Sequence, residues 1–226
     1  MLAERAGVVL DAPTAAEAAS GGTSKSELLA VNAWAESVFA EALGKSNEAR
    51  AYLASRGIMA ASVARFRLGY APGERGWLVS RAKREGYPID LLERAGLVSR
   101  PEDAPGQVRE RFRGRVVFPI HNPRGNAIGF GGRVLPEVER MYATAGKRVA
   151  KYLNSSETPL FQKRKVLYAG DLARAAAREA GWVAVVEGYT DVIAAHQVGL
   201  RNVVGGDRGR AVLERGDQGA GALTHT

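Results

Sequence analysis

The most informative part of this sequence is Trp182-Val183-Ala184-Val185-Val186-Glu187-Gly188-Tyr189-Thr190-Asp191. It opens with five consecutive apolar residues, three of them valine, and such a run predicts a strand buried on both faces. Residues 192–198 predict a short helix that ends at Gly199, and residues 201–204 begin a second strand. A strand, a helix and a strand in this order predict a right-handed parallel unit.

Two carboxylates, Glu187 and Asp191, directly follow the first of these strands. Open α/β sheets place their functional sites at the carboxyl ends of their strands. Mg²⁺ is usually held by one or two carboxylates, together with waters and substrate phosphates. The pair therefore suits a divalent cation, but the same residues also suit a helix cap that meets the helix dipole. The residues alone leave both interpretations open.

The composition excludes several classes of protein. Hydrophobic residues make up 46% of the 226 residues, which is enough for a core. The absence of cysteine excludes disulfides and thiolate zinc sites, and the three histidines (His121, His196 and His225) lack metal-ligand spacing, which predicts surface or core roles. No apolar run approaches the roughly 20 residues of a membrane span, and the first residues do not form a signal peptide. We therefore expect a cytoplasmic protein without a membrane partner.

Positive charge is concentrated in one part of the chain. The net charge is +8, but residues 111–165 alone carry +9, because twelve basic residues there are opposed by three glutamates. A basic block of this kind predicts a polyanionic partner such as nucleic acid. The alternative is a solvated face, although solvated faces usually mix the two signs of charge.

The first half of the chain predicts helices. Ser24 and Glu27 form a capping-box pattern ahead of an apolar helical face that Gly44 is expected to end. Further helices are predicted over residues 46–57, 60–65, 76–85 and 88–95.

A hairpin follows this helical half. Residues 116–120 form a strand whose Pro119 predicts an edge position, and a turn at residues 122–126 leads to a return strand over residues 127–135. Three glycines in the return strand, Gly129, Gly131 and Gly132, predict the close approach of another backbone or a ligand, or else a bulge.

Six segments, in chain order, now form a distinctive set. They are Arg65-Phe66-Arg67-Leu68-Gly69-Tyr70-Ala71-Pro72, Ala95-Gly96-Leu97-Val98, Arg111-Phe112-Arg113-Gly114-Arg115-Val116-Val117-Phe118-Pro119-Ile120, Ile128-Gly129-Phe130-Gly131-Gly132-Arg133-Val134-Leu135, Lys151-Tyr152-Leu153-Asn154-Ser155 with Glu157-Thr158, and Glu187-Gly188-Tyr189-Thr190-Asp191. Together they resemble the catalytic core of bacterial DnaG-type DNA primases over roughly residues 25–204. The resemblance implies an α/β fold, in which an α+β primase N-terminal subdomain is followed by a truncated Toprim domain with a parallel sheet.

The resemblance also implies a function and a site. Such primases use nucleoside triphosphates to make short RNA primers on single-stranded DNA in replication, with Mg²⁺ or Mn²⁺ stabilising the attacking and leaving oxygens. The implied catalytic residues are Glu187, Asp191, Lys151 and Lys163, with Glu187 and Asp191 as an incomplete metal site. The implied nucleic-acid and nucleotide contacts are Arg65, Arg113, Arg115, Arg133, Lys151, Tyr152, Asn154 and Lys163.

The sequence departs from the family at its ends and at one internal segment. We expect residues 1–24 to be a linker remnant after a missing zinc-binding domain, residues 25–178 to be the N-terminal subdomain and residues 179–204 a partial Toprim domain. Residues 205–226 lack the family's Asp-x-Asp strand and predict an aberrant, disordered tail, and the domain that binds the replicative helicase is expected to be absent. Residues 136–150 form a longer segment than the family leads us to expect.

Three functional interpretations follow. The first is a primase core that synthesises primers, and the second is a non-catalytic fragment that binds single-stranded nucleic acid. The third is another Toprim enzyme, a nuclease or topoisomerase, against which the segments at residues 111–135 and 151–158 argue.

Overall fold

The structure, a computed structural model, describes residues 24–104 and 106–206. Within those ranges the helices are α1 (Lys25–Lys45), α2 (Asn47–Ser55), α3 (Ala60–Arg65), α4 (Trp77–Arg84), α5 (Ile89–Arg94), α6 (Pro136–Thr144), α7 (Gly170–Ala180) and α8 (Tyr189–Gln197), with a 3₁₀ turn at Lys163–Lys165. The strands are β1 (Gly69–Ala71), β2 (Val98–Ser99), β3 (Arg109–Glu110), β4 (Arg115–His121), β5 (Ala127–Val134), β6 (Tyr152–Asn154), β7 (Ala184–Val186) and β8 (Val203–Gly205). Among these helices, none has the length and apolarity that crossing a membrane requires.

Helix α1 forms one wall of the core. Its predicted capping box is confirmed, since the Ser24 hydroxyl accepts the Glu27 N–H and the Glu27 carboxylate accepts the Ser24 N–H. The predicted end at Gly44 is wrong, because the helix continues to Lys45 and Ser46 ends it. The Ser46 N–H donates to the Leu43 carbonyl, and its hydroxyl accepts the Ala49 N–H to begin α2.

The main sheet is antiparallel, with the strand order β1-β4-β5-β6. The predicted hairpin of β4 and β5 is confirmed, but β4 lies inside the sheet and not at its edge. A proline is accommodated there because β1 pairs with β4 only as far as Val117. Pro119 lies beyond the end of β1, where that side of β4 has no paired strand among the described residues.

The glycines of β5 accommodate aromatic side chains. A Cβ on Gly131 would lie 2.3 Å from the Tyr189 ring, one on Gly129 would lie 2.9 Å from Phe161, and one on Gly132 would lie 2.7 Å from Phe112. The predicted close approach therefore occurs, but the approaching groups are neither a backbone nor a ligand. The predicted bulge also occurs, next to Gly129: Ile120 pairs with Gly129 and His121 pairs with Ala127, so Ile128 is an extra residue in the register.

The predicted strand–helix–strand unit is confirmed as β7, α8 and β8, with the two strands parallel. The prediction that β7 is buried on both faces is wrong, because its residues are half-buried and Trp182 is 40% exposed. The reason is that β7 pairs, within the described residues, with β8 alone. Helix α7 covers this pair through a small core of Ala173, Val183 and Val204.

The predicted tail lies largely outside the described residues, as does the predicted linker apart from Ser24. Gly205 belongs to β8 and exchanges backbone hydrogen bonds with Tyr168, at 2.8 and 3.0 Å. The Gly206 N–H donates to the Val186 carbonyl at 3.0 Å. These two residues therefore continue the sheet, and residues 207–226 are not described.

Two of the three histidines have the predicted core roles. His121 is buried at the end of β4, where its Nε2 lies 2.7 Å from a Glu36 oxygen. His196 is buried on α8, and its Nε2 lies 2.8 Å from the Val203 carbonyl. His225 lies outside the described residues.

Candidate nucleic-acid interface

A cation–π pair spans strands β5 and β6. Arg133 and Tyr152 are direct cross-strand partners, and the Arg133 guanidinium carbon lies 4.7 Å from the centre of the Tyr152 ring. Arg133 is 8% exposed, whereas Tyr152 is 44% exposed. The guanidinium therefore holds the aromatic ring at the surface, where a nucleic-acid base can stack on it.

Arg115 lies in the interior next to this pair. It is 4% exposed, and its guanidinium donates to the carbonyls of Gly132 (3.3 Å), Lys151 (3.4 Å) and Ala150 (2.7 Å). Every one of these acceptors belongs to the backbone around β5 and β6. The geometry therefore makes Arg115 a support for Lys151 and Tyr152, not a residue that faces a ligand.

The arginines of this region repel one another. Burial lowers the pKa of the Arg115 guanidinium and, although Tyr142 opposes the shift, the charges of Arg111 and Arg133 lower it further. Burial also lowers the pKa of Arg111. No ion pair within the described residues involves any of these three arginines. Since guanidinium groups stay protonated in proteins, the site has uncompensated positive charge that an anion would neutralise.

Two residues that the sequence analysis did not single out fix Asn154. The Tyr189 hydroxyl donates to Asn154 Oδ1 at 2.7 Å, and Arg111 Nε donates to the Asn154 carbonyl at 2.6 Å. With its Oδ1 occupied, Asn154 offers its Nδ2 as a side-chain donor. Only the glycine at position 131 and the tyrosine between Glu187 and Asp191 indicated this contact in the sequence. Residues 58 positions apart produce no periodic pattern from which a contact could be predicted.

The remaining predicted contacts lie at different places. Lys151 is exposed and directly precedes Tyr152, and its carbonyl is held by the Val134 N–H at 3.1 Å. Lys163 is exposed at the start of the 3₁₀ turn, where its N–H donates to Glu157 at 3.0 Å. Arg113 is half-buried and donates to the Gly73 carbonyl at 2.7 Å.

Arg65 is separate from this group. It is exposed at the end of α3, where its charge contributes to the lowered pKa of His196, a shift caused mainly by burial. In the described part of the chain, no contact joins Arg65 to the Arg133–Tyr152 pair. The structure therefore brings Arg133, Lys151, Tyr152 and Asn154 together and leaves Arg65 beside α8.

The two carboxylates lie where the sequence predicts, around the start of α8. Glu187 is exposed directly after β7, and Asp191 is exposed in the first turn of α8. A Cβ on Gly188 would lie 2.5 Å from Asp191 Oδ2, so glycine leaves space for the carboxylate in its present position over the loop. No side chain forms a capping hydrogen bond at the start of α8. Of the helix-cap interpretation, only a favourable interaction of the carboxylates with the helix dipole is left.

The carboxylates of Glu187 and Asp191 suit Mg²⁺ or Mn²⁺ where other ligands complete the coordination. The described residues contain no group of three or more His, Asp and Glu side chains arranged to hold a metal. A carboxylate pair is nevertheless sufficient where waters and substrate phosphates complete the coordination of Mg²⁺. Glu187 and Asp191 therefore fit a metal that arrives with phosphates, and do not fit a closed protein cage.

The antiparallel sheet with its uncompensated arginine cluster and the parallel unit with its two carboxylates form a domain of mixed α and β structure. The chain belongs to the DNA primase family. The model of the DNA primase catalytic core, N-terminal domain, matches residues 38–174.

Similar proteins and structures agree with this assignment. The DNA primase of Neisseria meningitidis is 44% identical over 162 residues, which is 72% of this chain and 25% of that protein. The RNA polymerase domain of Mycobacterium tuberculosis primase DnaG, in complex with a double-stranded DNA oligomer with a 6-nucleotide overhang, has a TM-score of 0.71 and 36% identity over 81% of this chain and 55% of that chain. A DnaG primase catalytic domain bound to ssDNA has a TM-score of 0.67 and 34% identity over 79% of this chain and 55% of that one. The chain therefore spans about a quarter of the length of the first of these relatives and about half of the two solved chains.

Proposed function

We propose that this chain binds single-stranded DNA as a template and takes part in RNA primer synthesis during replication. The observation that carries the proposal is the cluster of Arg111, Arg115 and Arg133, whose charges no carboxylate of the described chain neutralises. Tyr152 adds an exposed aromatic face directly above it. Positive charge beside a stacking platform is the usual combination for binding single strands.

Each residue has a proposed task. Tyr152 stacks on a base, while Arg133, Lys151 and the Asn154 amide contact the phosphates on either side of that base. Arg115 keeps the strand that carries them in place. Lys163, Arg113 and Arg65 extend the path of the template or receive the incoming nucleoside triphosphate.

Glu187 and Asp191 are the proposed ligands of Mg²⁺ or Mn²⁺. Such an ion, when bound with the triphosphate, supplies positive charge to the attacking and leaving oxygens of nucleotidyl transfer. The protein's own part is to keep two carboxylates at the carboxyl end of β7, with Gly188 leaving space for Asp191 to fold back. Binding to the replicative helicase is proposed for the whole protein and not for the residues described.

The packing favours a domain boundary earlier in the chain than residue 178. Helix α7 shares its core with β7 and β8, through Ala173, Val183 and Val204. A boundary before Gly170 keeps α7 in the same unit as the strands that it covers.

DNA binding is tested with a fluorescently labelled oligo(dT) in an anisotropy titration. We expect Tyr152→Ala to weaken binding by about 1–3 kcal/mol, which is the stacking contribution of one base. Arg133→Ala is expected to reduce the slope of log K against log salt by about 0.7, the contribution of one phosphate contact. Arg56→Ala, an exposed arginine that follows α2, is the matched control and should leave both quantities unchanged.

Primer synthesis separates the two leading interpretations. The full chain is incubated with a single-stranded template, nucleoside triphosphates and Mg²⁺, and the RNA products are separated by size. Products that disappear in Glu187→Gln support the polymerase. DNA binding without any product supports the non-catalytic fragment, and absence of DNA binding contradicts both.

A further inference from the structure

The segment between β5 and β6 is anchored at both ends on the start of β4. At its beginning, the Leu135 N–H donates to the Gly114 carbonyl at 3.0 Å, and Val138 of α6 lies so close that a Cβ on Gly114 would approach it to 2.8 Å. At its end, the buried Arg115 guanidinium holds the Ala150 carbonyl at 2.7 Å. Both ends of the segment are therefore held by two adjacent residues, one of which is Arg115 of the arginine cluster.

The end of α6 is fixed as well. Gly146 has a φ of +67°, its N–H donates to the Ala143 carbonyl at 3.0 Å, and the Lys147 N–H donates to the Tyr142 carbonyl at 2.9 Å. These two bonds form a Schellman motif, which reverses the chain direction after a helix. Lys147 thus has a defined backbone position, and Arg148 lies between that motif and the anchored Ala150. Its Cα lies within about 7 Å of the Ala150 Cα, since two residues span no more.

The charges of this segment are separated along its length. Glu137 lies in the first turn of α6, where it pairs with Arg140 at 2.9 Å and approaches Glu48 of α2, whose pKa is raised mainly by burial and also by Glu137. Lys147 and Arg148 lie at the other end, next to β6, and both are exposed. Across residues 24–104 and 106–206, neither takes part in an ion pair. Acidic groups therefore lie at the start of α6, and Lys147 and Arg148 lie at the end of the segment that leads into β6.

Resting on the proposed function, we infer that Lys147 and Arg148 bind two phosphates of the single-stranded template beyond the nucleotide stacked on Tyr152. The continuity of charge supports this partner, because Lys147, Arg148 and Lys151 lead along the chain, without an intervening carboxylate, to Tyr152, the cross-strand partner of Arg133. The segment thus lengthens the DNA path past β6.

The test compares oligo(dT) of about 20 nucleotides with one of about 6 nucleotides, using anisotropy of the full chain. For the longer strand, we expect Lys147→Ala/Arg148→Ala to reduce the slope of log K against log salt by about 1.4, because each lost phosphate contact contributes about 0.7. If the variant and the unmodified chain bind equally at 1 M salt, this difference in slope means that the variant binds roughly 25-fold more weakly at 0.1 M salt. For the short strand, which the Arg133–Tyr152 pair alone can hold, we expect no change.

The matched control is Lys83→Ala/Arg84→Ala. These residues are also an exposed basic pair at the end of a helix, α4, and their removal changes the net charge by the same amount. Equal slopes for the two double variants would overturn the inference, because they would show a general effect of charge. Reduced binding of the short strand by Lys147→Ala/Arg148→Ala would overturn it too, since the pair would then lie in the stacking site.

The two proposals fail in different ways. If Arg133→Ala weakens binding while Lys147→Ala/Arg148→Ala leaves the longer strand unaffected, the inference is wrong and the proposed function stands. If neither variant changes binding, or if the unmodified chain does not bind, the proposed function fails as well. Circular dichroism of each variant verifies that the fold is retained.

Discussion

At the scale of single residues, Tyr189 joins the two halves of the candidate site. Its ring stacks on Phe118, with the centroids 5.2 Å apart, and its hydroxyl donates to Asn154. It also separates Glu187 from Asp191 in the sequence. One side chain therefore sets the position of the carboxylates relative to the strand that carries Tyr152.

The hydroxyl of Tyr189 can be tested without removing the ring. We expect Tyr189→Phe to lower the free energy of unfolding in urea by about 1 kcal/mol, the net contribution of one hydrogen bond. Oligo(dT) binding should also weaken, because the Asn154 amide loses its fixed orientation. Tyr52→Phe is the control, since the phenol of Tyr52 is half-buried and far along the chain on α2. Unchanged DNA affinity in Tyr189→Phe would show that Asn154 does not need this bond.

At the scale of elements, α8 and β8 are joined by a buried histidine. His196 Nε2 faces the Val203 carbonyl, so this nitrogen carries the proton of a neutral ring and Nδ1 has none. Burial lowers the pKa of His196 below 6.5, the charges of Arg65 and Arg201 act in the same direction, and the Val203 carbonyl and Asp171 oppose them. The folded state therefore disfavours the protonated ring.

This burial predicts a pH dependence. Because the unfolded chain binds the proton more readily, the stability conferred by neutral His196 is complete above the unfolded pKa of about 6.5 and declines as the pH falls below it. We expect the melting temperature to decrease from pH 7.5 to 5.5, and to decrease less in His196→Gln, whose amide can still donate to Val203. An equal decrease in both proteins would assign the effect to other groups.

The elements also show how far the sequence is predictive. The helices that end near Gly57, Gly86, Gly96 and Gly199 are as predicted, because each of these glycines has a positive φ that other residues rarely adopt. The interior position of β4 was not predictable from Pro119, since it depends on how far β1 extends. The different roles of Arg133 and Arg115 were not predictable either, because both belong to the same basic block and both are buried. Only their contacts distinguish them: Arg115 binds backbone carbonyls, and Arg133 lies against the Tyr152 ring.

At the scale of the whole molecule, one apolar cluster crosses the predicted domain boundary. It contains Phe66, Phe118 and Phe161 from the first part of the chain, and Val192 and Ile193 from the second. Gln197 of α8 adds hydrogen bonds to the Gly57 carbonyl at 2.9 Å and the Met59 N–H at 3.0 Å. Besides its small core under α7, the parallel unit thus shares its main apolar contacts with the rest of the chain.

Shared packing predicts a single unfolding transition. Ile193→Ala should lower the stability of the whole chain by about 2–5 kcal/mol, as for other fully buried isoleucines. The measurement is urea unfolding followed by far-ultraviolet circular dichroism, to which the five helices between residues 25 and 94 contribute strongly. Val198→Ala, at an exposed apolar position, is the control. A separate early transition in Ile193→Ala would show that the parallel unit unfolds alone.

The fit of Tyr189 against Gly131 has a consequence for how this protein can change over generations. A methyl group at position 131 would lie 2.3 Å from the tyrosine ring, so position 131 is not free to change while Tyr189 stays as it is. Position 189 is less constrained, because a smaller side chain there still fits against glycine. Lineages with a larger residue at 131 are therefore expected to have a smaller one at 189, and the change at 189 should come first in their history.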